Sequence, residues 1–396
     1  MKHLLIFQLA LFSTFLPAKE ELNHFKGTWE EAKLKAKAEN KYVLLDCYTS
    51  WCGWCKAMDK EVFTDASVIK EINAHFIFVG HDMQLDSEGR KLAMKYHIRA
   101  YPTYLFFSPQ GKWVYEQDGY QPAPGFLQTL KNAQNEGKQT IFPGFNDELE
   151  PGFPQLYKMW FDTSAGRIPP SQFEQLDQEM FVYLDNSPNL YGEVAWAMMC
   201  FMPNLNDKYN NWIFQHADTL RYLYGPMMTQ KILDILMLQT QQAIDSSAPQ
   251  LFYDALDKAK KYDRANSSKT RFEISDDYFV KTKQLPQLAN FMQQEMDTTK
   301  NLLKSAVFFN NVAWEIYDQS DDTVLLKQAC GWMEKVCALK EDYYYLDTYA
   351  HLLFKLKRYD EAEMETKKAT RIGKKEKEDT QSTEALLVAI HEMTKG

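Results

Sequence analysis

The sequence predicts an α/β unit, a mixed sheet covered on both faces by helices, followed by an all-helical region. Three observations predict this. Over roughly residues 22–136, short apolar runs of strand length alternate with segments of helical pattern and end in a hairpin. From Pro143-Gly144-Phe145 to Pro154 the composition shifts to Pro, Gly and acidic residues, as in a linker. Beyond it strand signals vanish, and helical segments follow one another between Pro, Asn and Ser breaks.

Each element has a local reason. Thr28-Trp29-Glu30-Glu31 matches a capping box, with Thr28 as N-cap and Glu31 reaching back, so a helix should run to about Glu39 and stop near Asn40. Tyr42–Tyr48 is a continuous apolar run of the type buried on both faces of a sheet. Lys56–Phe63 contains no Gly or Pro and reads as a helix. Thr64 or Asp65 can cap a second short one through Val68, Ile69 and Ile72. Phe76–Gly80 is a second buried strand, and Ser87–Tyr96 an amphipathic helix. Pro102 leads into the strand Tyr104–Phe107, which Pro109-Gln110-Gly111 turns into Lys112–Tyr115. A helix from about Pro124 to Asn135 closes the unit. Helices are then expected over Gln172–Leu184, Tyr191–Phe201, Asn210–Leu223, Met227–Ile244, Leu251–Tyr262 and Gln284–Glu295.

At 396 residues the chain should hold two or three domains. A net charge of −9 argues against nucleic acid or an anionic membrane as the main partner. No glycine-rich phosphate loop suggests a nucleotide cofactor. Met1-Lys2-His3, the apolar run from Leu4 to Phe12, and Leu16-Pro17-Ala18 before charged Lys19-Glu20-Glu21 describe a secretory signal peptide, too short to span a bilayer. The mature chain is therefore expected to be exported, to a periplasmic setting. The expected partition is residues 1–18 signal peptide, 19–138 the α/β domain, 139–155 linker, 156–300 a helical domain and 301–396 helical repeats.

Chemistry concentrates in Trp51-Cys52-Gly53-Trp54-Cys55-Lys56. Two cysteines separated by two residues make half a zinc site or a redox dithiol. A zinc site needs a second Cys/His pair, and none appears at a plausible spacing; Cys330 and Cys337 are too far apart along a helix. Cys52 falls where a strand gives way to a helix N-terminus, whose unpaired N–H groups and dipole favour a thiolate. Residues three apart in a first helical turn face one side, so Cys52 and Cys55 can close a disulfide without large backbone movement. Cys47, Cys200, Cys330 and Cys337 sit in apolar or helical stretches, where a thiol acts as a small hydrophobe. His75, His81 and His97 show no partner in the sequence and are read as structural.

This motif after an apolar strand, with Tyr101-Pro102-Thr103 before the next, resembles the thioredoxin superfamily. The stretch from Asp46 through Cys55, Glu61-Val62-Phe63-Thr64-Asp65 and Val68 is similar to the thioredoxin domain at the C-terminal end of transmembrane thiol:disulfide interchange reductases, and to related exported thioredoxins. The resemblance covers residues 22–136. It implies Cys52 as attacking thiolate, Cys55 as resolving thiol, Asp46 as the buried carboxylate that exchanges the Cys55 proton, and Pro102 as a cis-proline beside the cysteines. Trp51, Trp54 and Tyr101 would meet the substrate, Trp51 chiefly as packed support and Trp54 as an exposed contact; Gly111 and Gly119 match hairpin glycines. Two departures bear on redox potential and on the ionisation of Asp46. Gly-Trp replaces the usual Gly-Pro between the cysteines, and Phe76–Gly80 lacks the lysine that usually partners the carboxylate.

The last part resembles tetratricopeptide repeats. Ala329 and Ala362 correspond, as do Val336 and Ala369, 33 residues apart. The expected function is that of an exported thiol:disulfide oxidoreductase working on protein disulfides, in the reducing direction. Its only redox group is the Cys52–Cys55 dithiol, with no metal or organic cofactor. A membrane or periplasmic redox partner would reset it, and the helical repeats would bind a protein. The alternative is a helical-repeat scaffold with the α/β unit as a docking module of little turnover.

Overall fold

In a computed structural model we describe residues 20–164, 173–202, 205–263, 267–376 and 378–395. The expected signal peptide, 1–18, and Gln172 of the expected Gln172–Leu184 helix lie outside them. In chain order the first elements are α1 (Trp29–Glu39), β1 (Tyr42–Tyr48), α2 (Gly53–Ala57, running on as a π turn Met58–Val62), α3 (Ala66–His75), β2 (Phe76–Asp82), α4 (Ser87–Tyr96), β3 (Thr103–Phe107), β4 (Trp113–Asp118) and α5 (Ala123–Gln134). The capping box at Thr28 is formed on both sides, and Asp65 rather than Thr64 caps α3. The strands form one sheet in the order β2-β1-β3-β4, β1 parallel to β2 and antiparallel to β3. This is a thioredoxin-like mixed sheet with helices on both faces.

Alternation along the strands gives each face its own core. Leu44, Tyr104 and Phe106 pack on one side with Met58, Val62, Phe63, Val68, Ile72, Phe126 and Leu130. On the other, Phe107 meets Trp29 of α1 and Tyr96 of α4 edge-on, with centroids 4.7 and 5.3 Å apart. Gly111 and Gly119 sit at φ near +80°, in the hairpin turn and just after β4, a region that a side chain rarely adopts.

The helices that follow are α6 (Gln155–Ser164), α7 (Phe173–Asp185), α8 (Glu193–Phe201), α9 (Asp207–Gln215), α10 (Ala217–Tyr224), α11 (Pro226–Asp245), α12 (Pro249–Tyr262), α13 (Ser267–Lys281), α14 (Leu285–Thr298), α15 (Leu302–Gln319), α16 (Thr323–Leu339), α17 (Tyr343–Lys355), α18 (Tyr359–Glu376) and α19 (Gln381–Thr394). The expected single helix over Asn210–Leu223 is two, because the chain breaks at His216. None of the helices among the described residues is long and apolar enough to cross a membrane.

The chain divides into two compact units, one reaching to Tyr209 and including Asp218–Met227, the other formed by Asn210–Ala217 and Met228 onward. In the second, α15 packs on α16 and α17, and α17 on α18 and α19. Ala329 and Val336 of α16 and Ala362 and Ala369 of α18 are fully buried.

In the first unit, residues 139–155 do not behave as the linker their composition suggested. Phe142 and Phe145 both pack edge-on against Trp113, 5.2 Å between centroids, and Phe145 continues to Tyr224 at 5.4 Å. The prolines and glycines of this stretch serve tight turns over a buried aromatic seam. Beside it Lys95 of α4 donates to Glu193 of α8 at 2.7 Å, with both side chains buried. The Asn146 amide donates to the other Glu193 oxygen at 2.9 Å.

Removing one member of such a pair leaves an uncompensated buried charge. Lys95→Met should therefore cost about 3–5 kcal/mol in urea unfolding, whereas Lys95→Met with Glu193→Leu should recover most of that loss.

Candidate active site

Strand β1 delivers the chain to the site. After Tyr48 the backbone leaves the sheet, and Cys52, in extended conformation, is the N-cap of α2. Its sulfur accepts the Cys55 backbone N–H at 3.0 Å. Cys52 and Cys55 are joined by a disulfide with Cα atoms 5.3 Å apart, an ordinary span for such a bond. The sulfur that accepts an amide here would accept it more strongly as a thiolate, at the positive end of the helix.

The loop before Cys52 is fixed from outside. The Ser50 N–H donates to Asp82 Oδ2 at 2.9 Å, and Asp82 Oδ1 accepts from the amides of Gln84 and Leu85 at 2.9 and 2.8 Å. Trp51 Nε1 donates to Gln84 Oε1 at 2.8 Å. Asp82 and Gln84 were not singled out from the sequence. The available signal was an Asp ending a strand before a polar turn, which favours a side chain closing onto amides two and three residues on.

Around the dithiol the surface is aromatic. Trp51 was expected as packed support, but it is as exposed as Trp54, each at 64%. Both rings lean on a tyrosine: Trp51 on Tyr101 at 5.9 Å and Trp54 on Tyr120 at 5.4 Å. The first contact brings the cysteine loop against the loop that carries Pro102. The Tyr101–Pro102 peptide is cis. On the far side of that loop, the Pro102 carbonyl accepts from Gly119 at 2.8 Å, and Thr103 Oγ1 donates to the Ala100 carbonyl and Asp118.

Asp46 lies in mid-strand, on the sheet face that the α2 side covers. It is 6% exposed, and its Oδ1 has no hydrogen-bond donor among the described residues. Its neighbour on β2 is Gly80, so no cation stands across from it. Burial first, and the charge of Asp59 second, push the Asp46 carboxyl up to about 8. Asp59, on the π turn, is itself raised by burial, with His24 acting against the rise. Burial lowers His24, opposed by Asp59. Asp59 and His24 were missed from the sequence. The first stands four residues after Cys55, a helical spacing that could have flagged it; His24 lies outside any helix or strand and gave no signal. A carboxyl that titrates near neutrality can hold a proton or take one from a thiol of ordinary pKa, about 8.5.

His81, read as unpartnered, pairs through Nδ1 with Asp86. His75 lies 3.9 Å from Glu71, and His97 stacks on Phe201. Cys47, Cys200, Cys330 and Cys337 are buried and unbridged. Burial raises the Cys47 thiol and pushes Cys330 to about 11 and Cys337 to about 12, so these thiols stay protonated and inert.

Alongside this sheet order, helix-capping dithiol and buried carboxyl, residues 29–134 match the family model of a thioredoxin-like domain. The N-terminal part of the chain is thioredoxin-like and homologous to thiol:disulfide interchange proteins. The thiol:disulfide interchange protein DsbD of Yersinia pestis (strain Pestoides F) is 32% identical over 99 residues, 24% of this chain and 17% of that protein. The protein disulfide-isomerase of Triticum aestivum is 29% identical over 106 residues, 27% and 20% of the two chains. A solved thioredoxin from Thermus thermophilus, 27% identical, covers 30% of this chain and 90% of its own, with a TM-score of 0.27. The chain spans about a fifth or less of the length of these curated relatives.

A carboxyl with a raised native pKa binds its proton in the folded state while the unfolded chain has lost it. The Asp46 contribution to stability is therefore greatest below about pH 4 and is lost as pH rises to about 8. Asp46→Asn removes this slope. At pH 7 it should stabilise the chain by on the order of 2–4 kcal/mol in urea unfolding, with the difference from wild type vanishing near pH 4. Glu116, raised to about 8 by burial and by Asp118, contributes equally to both proteins and cancels.

Proposed function

We propose that the chain is a thiol:disulfide oxidoreductase that reduces protein disulfides through Cys52 and Cys55. The observation that carries this reading is the Cys55 amide donating to the Cys52 sulfur at a helix N-cap, with Asp46 buried in the same half of the domain. The Cys52 thiolate attacks one sulfur of a substrate disulfide, forming a mixed disulfide and releasing the other sulfur as thiolate. Cys55, deprotonated by Asp46, then attacks Cys52, releases the second substrate thiolate and leaves the Cys52–Cys55 disulfide. Two electrons have passed to the substrate.

An extended substrate segment lies along the Tyr101–Pro102 loop, between the Trp51 and Trp54 rings. The signal-like pattern of residues 1–18 supports export to a periplasmic setting. There a membrane or periplasmic partner carrying a dithiol resets the site, and no metal or organic cofactor takes part. The α15–α19 pairs, with the 33-residue correspondence, support a tetratricopeptide-like array that holds a protein partner.

Insulin-disulfide reduction tests the reading. Cys52→Ser should fall to the uncatalysed background, and Cys55→Ser should accumulate a mixed disulfide through Cys52 that dithiothreitol releases. Equal insulin rates for wild type and Cys52→Ser would remove the enzyme and leave a scaffold.

A further inference from the structure

The loop that carries Tyr101 and Pro102 is held at its other end by a part of the chain outside the thioredoxin-like domain. His97, at φ 57°, ends α4 and stacks on Phe201 of α8, with ring centroids 4.5 Å apart and planes 13° from parallel. Two residues on, the Arg99 guanidinium donates to the Cys200 carbonyl and lies 5.4 Å from the Phe201 ring centre. A cation on the last carbonyls of a helix is favoured by its dipole. Phe201 is in turn enclosed by Tyr157, Trp160 and Phe161 of α6, at 5.9, 6.0 and 5.5 Å. Four rings and a guanidinium therefore fix one phenylalanine, and it fixes both ends of His97-Ile98-Arg99.

We infer that α8, through Phe201, is a positioning element of the exchange site: it sets the course of the Tyr101–Pro102 loop and so the docking of extended protein substrates. The inference rests on the exchange reading above. The C-terminal side of the loop is tied to β4 through Gly119 and Asp118. Its N-terminal side meets α8 through the His97 ring and the Arg99 guanidinium. Loss of these would let the segment before Tyr101 relax while Cys52, the N-cap of α2, stays where it is. The effect falls on substrates that lie along the loop. A disulfide too small to reach it is untouched.

The test uses the full chain, prereduced, with its oxidation followed by insulin or by 2-hydroxyethyl disulfide at varied concentration. Phe201→Ala should raise the half-saturating insulin concentration about tenfold, the scale of one lost aromatic anchor. The limiting rate and the small-disulfide rate constant should stay within about twofold of wild type. Phe201→Tyr, which keeps the ring, should restore insulin binding. An unchanged insulin half-saturation for Phe201→Ala overturns the inference, as does a parallel loss toward both disulfides. Arg99→Ala alters an exposed side chain and decides the matter if Phe201→Ala yields no folded protein: a rise of a few-fold with insulin alone supports the inference, and none overturns it. Failure of the exchange reading is distinct, since then wild type itself is oxidised by neither disulfide.

Discussion

One contact organises the rest: the Cys55 amide reaching back to the Cys52 sulfur. For that bond to form, an extended strand must stop and a helix begin within a few residues, and the strand must not shift. β1 meets both requirements because it is hydrogen-bonded on either side, to β2 and β3, along nearly its whole length. Asp82 and Gln84, at the end of the neighbouring strand, hold the intervening turn. The sulfur is therefore presented by a frame that is hydrogen-bonded on both sides.

The same frame holds Asp46. A carboxyl without a cation or a full set of donors in a sheet interior is an energetic burden, and the thioredoxin resemblance leads one to expect a lysine to relieve it. Here Gly80 occupies the neighbouring β2 position. Asp59 adds repulsion instead, and His24, held near Phe78 at 4.7 Å, acts against the rise of Asp59. The group responds by keeping its proton up to neutral pH, which is the property a proton donor and acceptor behind a thiol needs.

What could be read beforehand followed from how local the information was. Thr28 and Glu31 announce a helix start by themselves, and the Tyr42–Tyr48 run announces a buried strand, so the α/β order was legible. So was the placement of Cys52, because strand, turn and helix are contiguous. Trp51 was misplaced because its exposure depends on Gln84, 33 residues on, which holds the ring out by its N–H. His24 acquires meaning only through a bridge to β2, and the split at His216 lies within a stretch whose composition is uniformly helical. The Pro/Gly stretch after residue 142 misled for another reason. Turn residues mark a change of direction, and whether that turn is solvated or packed depends on the aromatic residues interspersed in it.

Phe142 and Phe145 show what those aromatics accomplish. The sheet face lined by Phe107 and Trp113 is covered by Trp29 and Tyr96, and from Trp113 the seam continues through Phe145 to Tyr224 and on to Trp196 of α8. An apolar seam alone tolerates sliding, because burial has little directional preference. The Lys95–Glu193 pair and the Asn146 amide add direction, since a buried charge tolerates only one placement of its partner. Net of desolvation, such a pair contributes little to stability. Its contribution is register: it fixes α8 relative to α4 in the helix that ends one residue before His97. The chain between a buried ion pair and the exchange loop is thus only a few residues long, so the positioning of α8 and the geometry of the site are set by the same contacts.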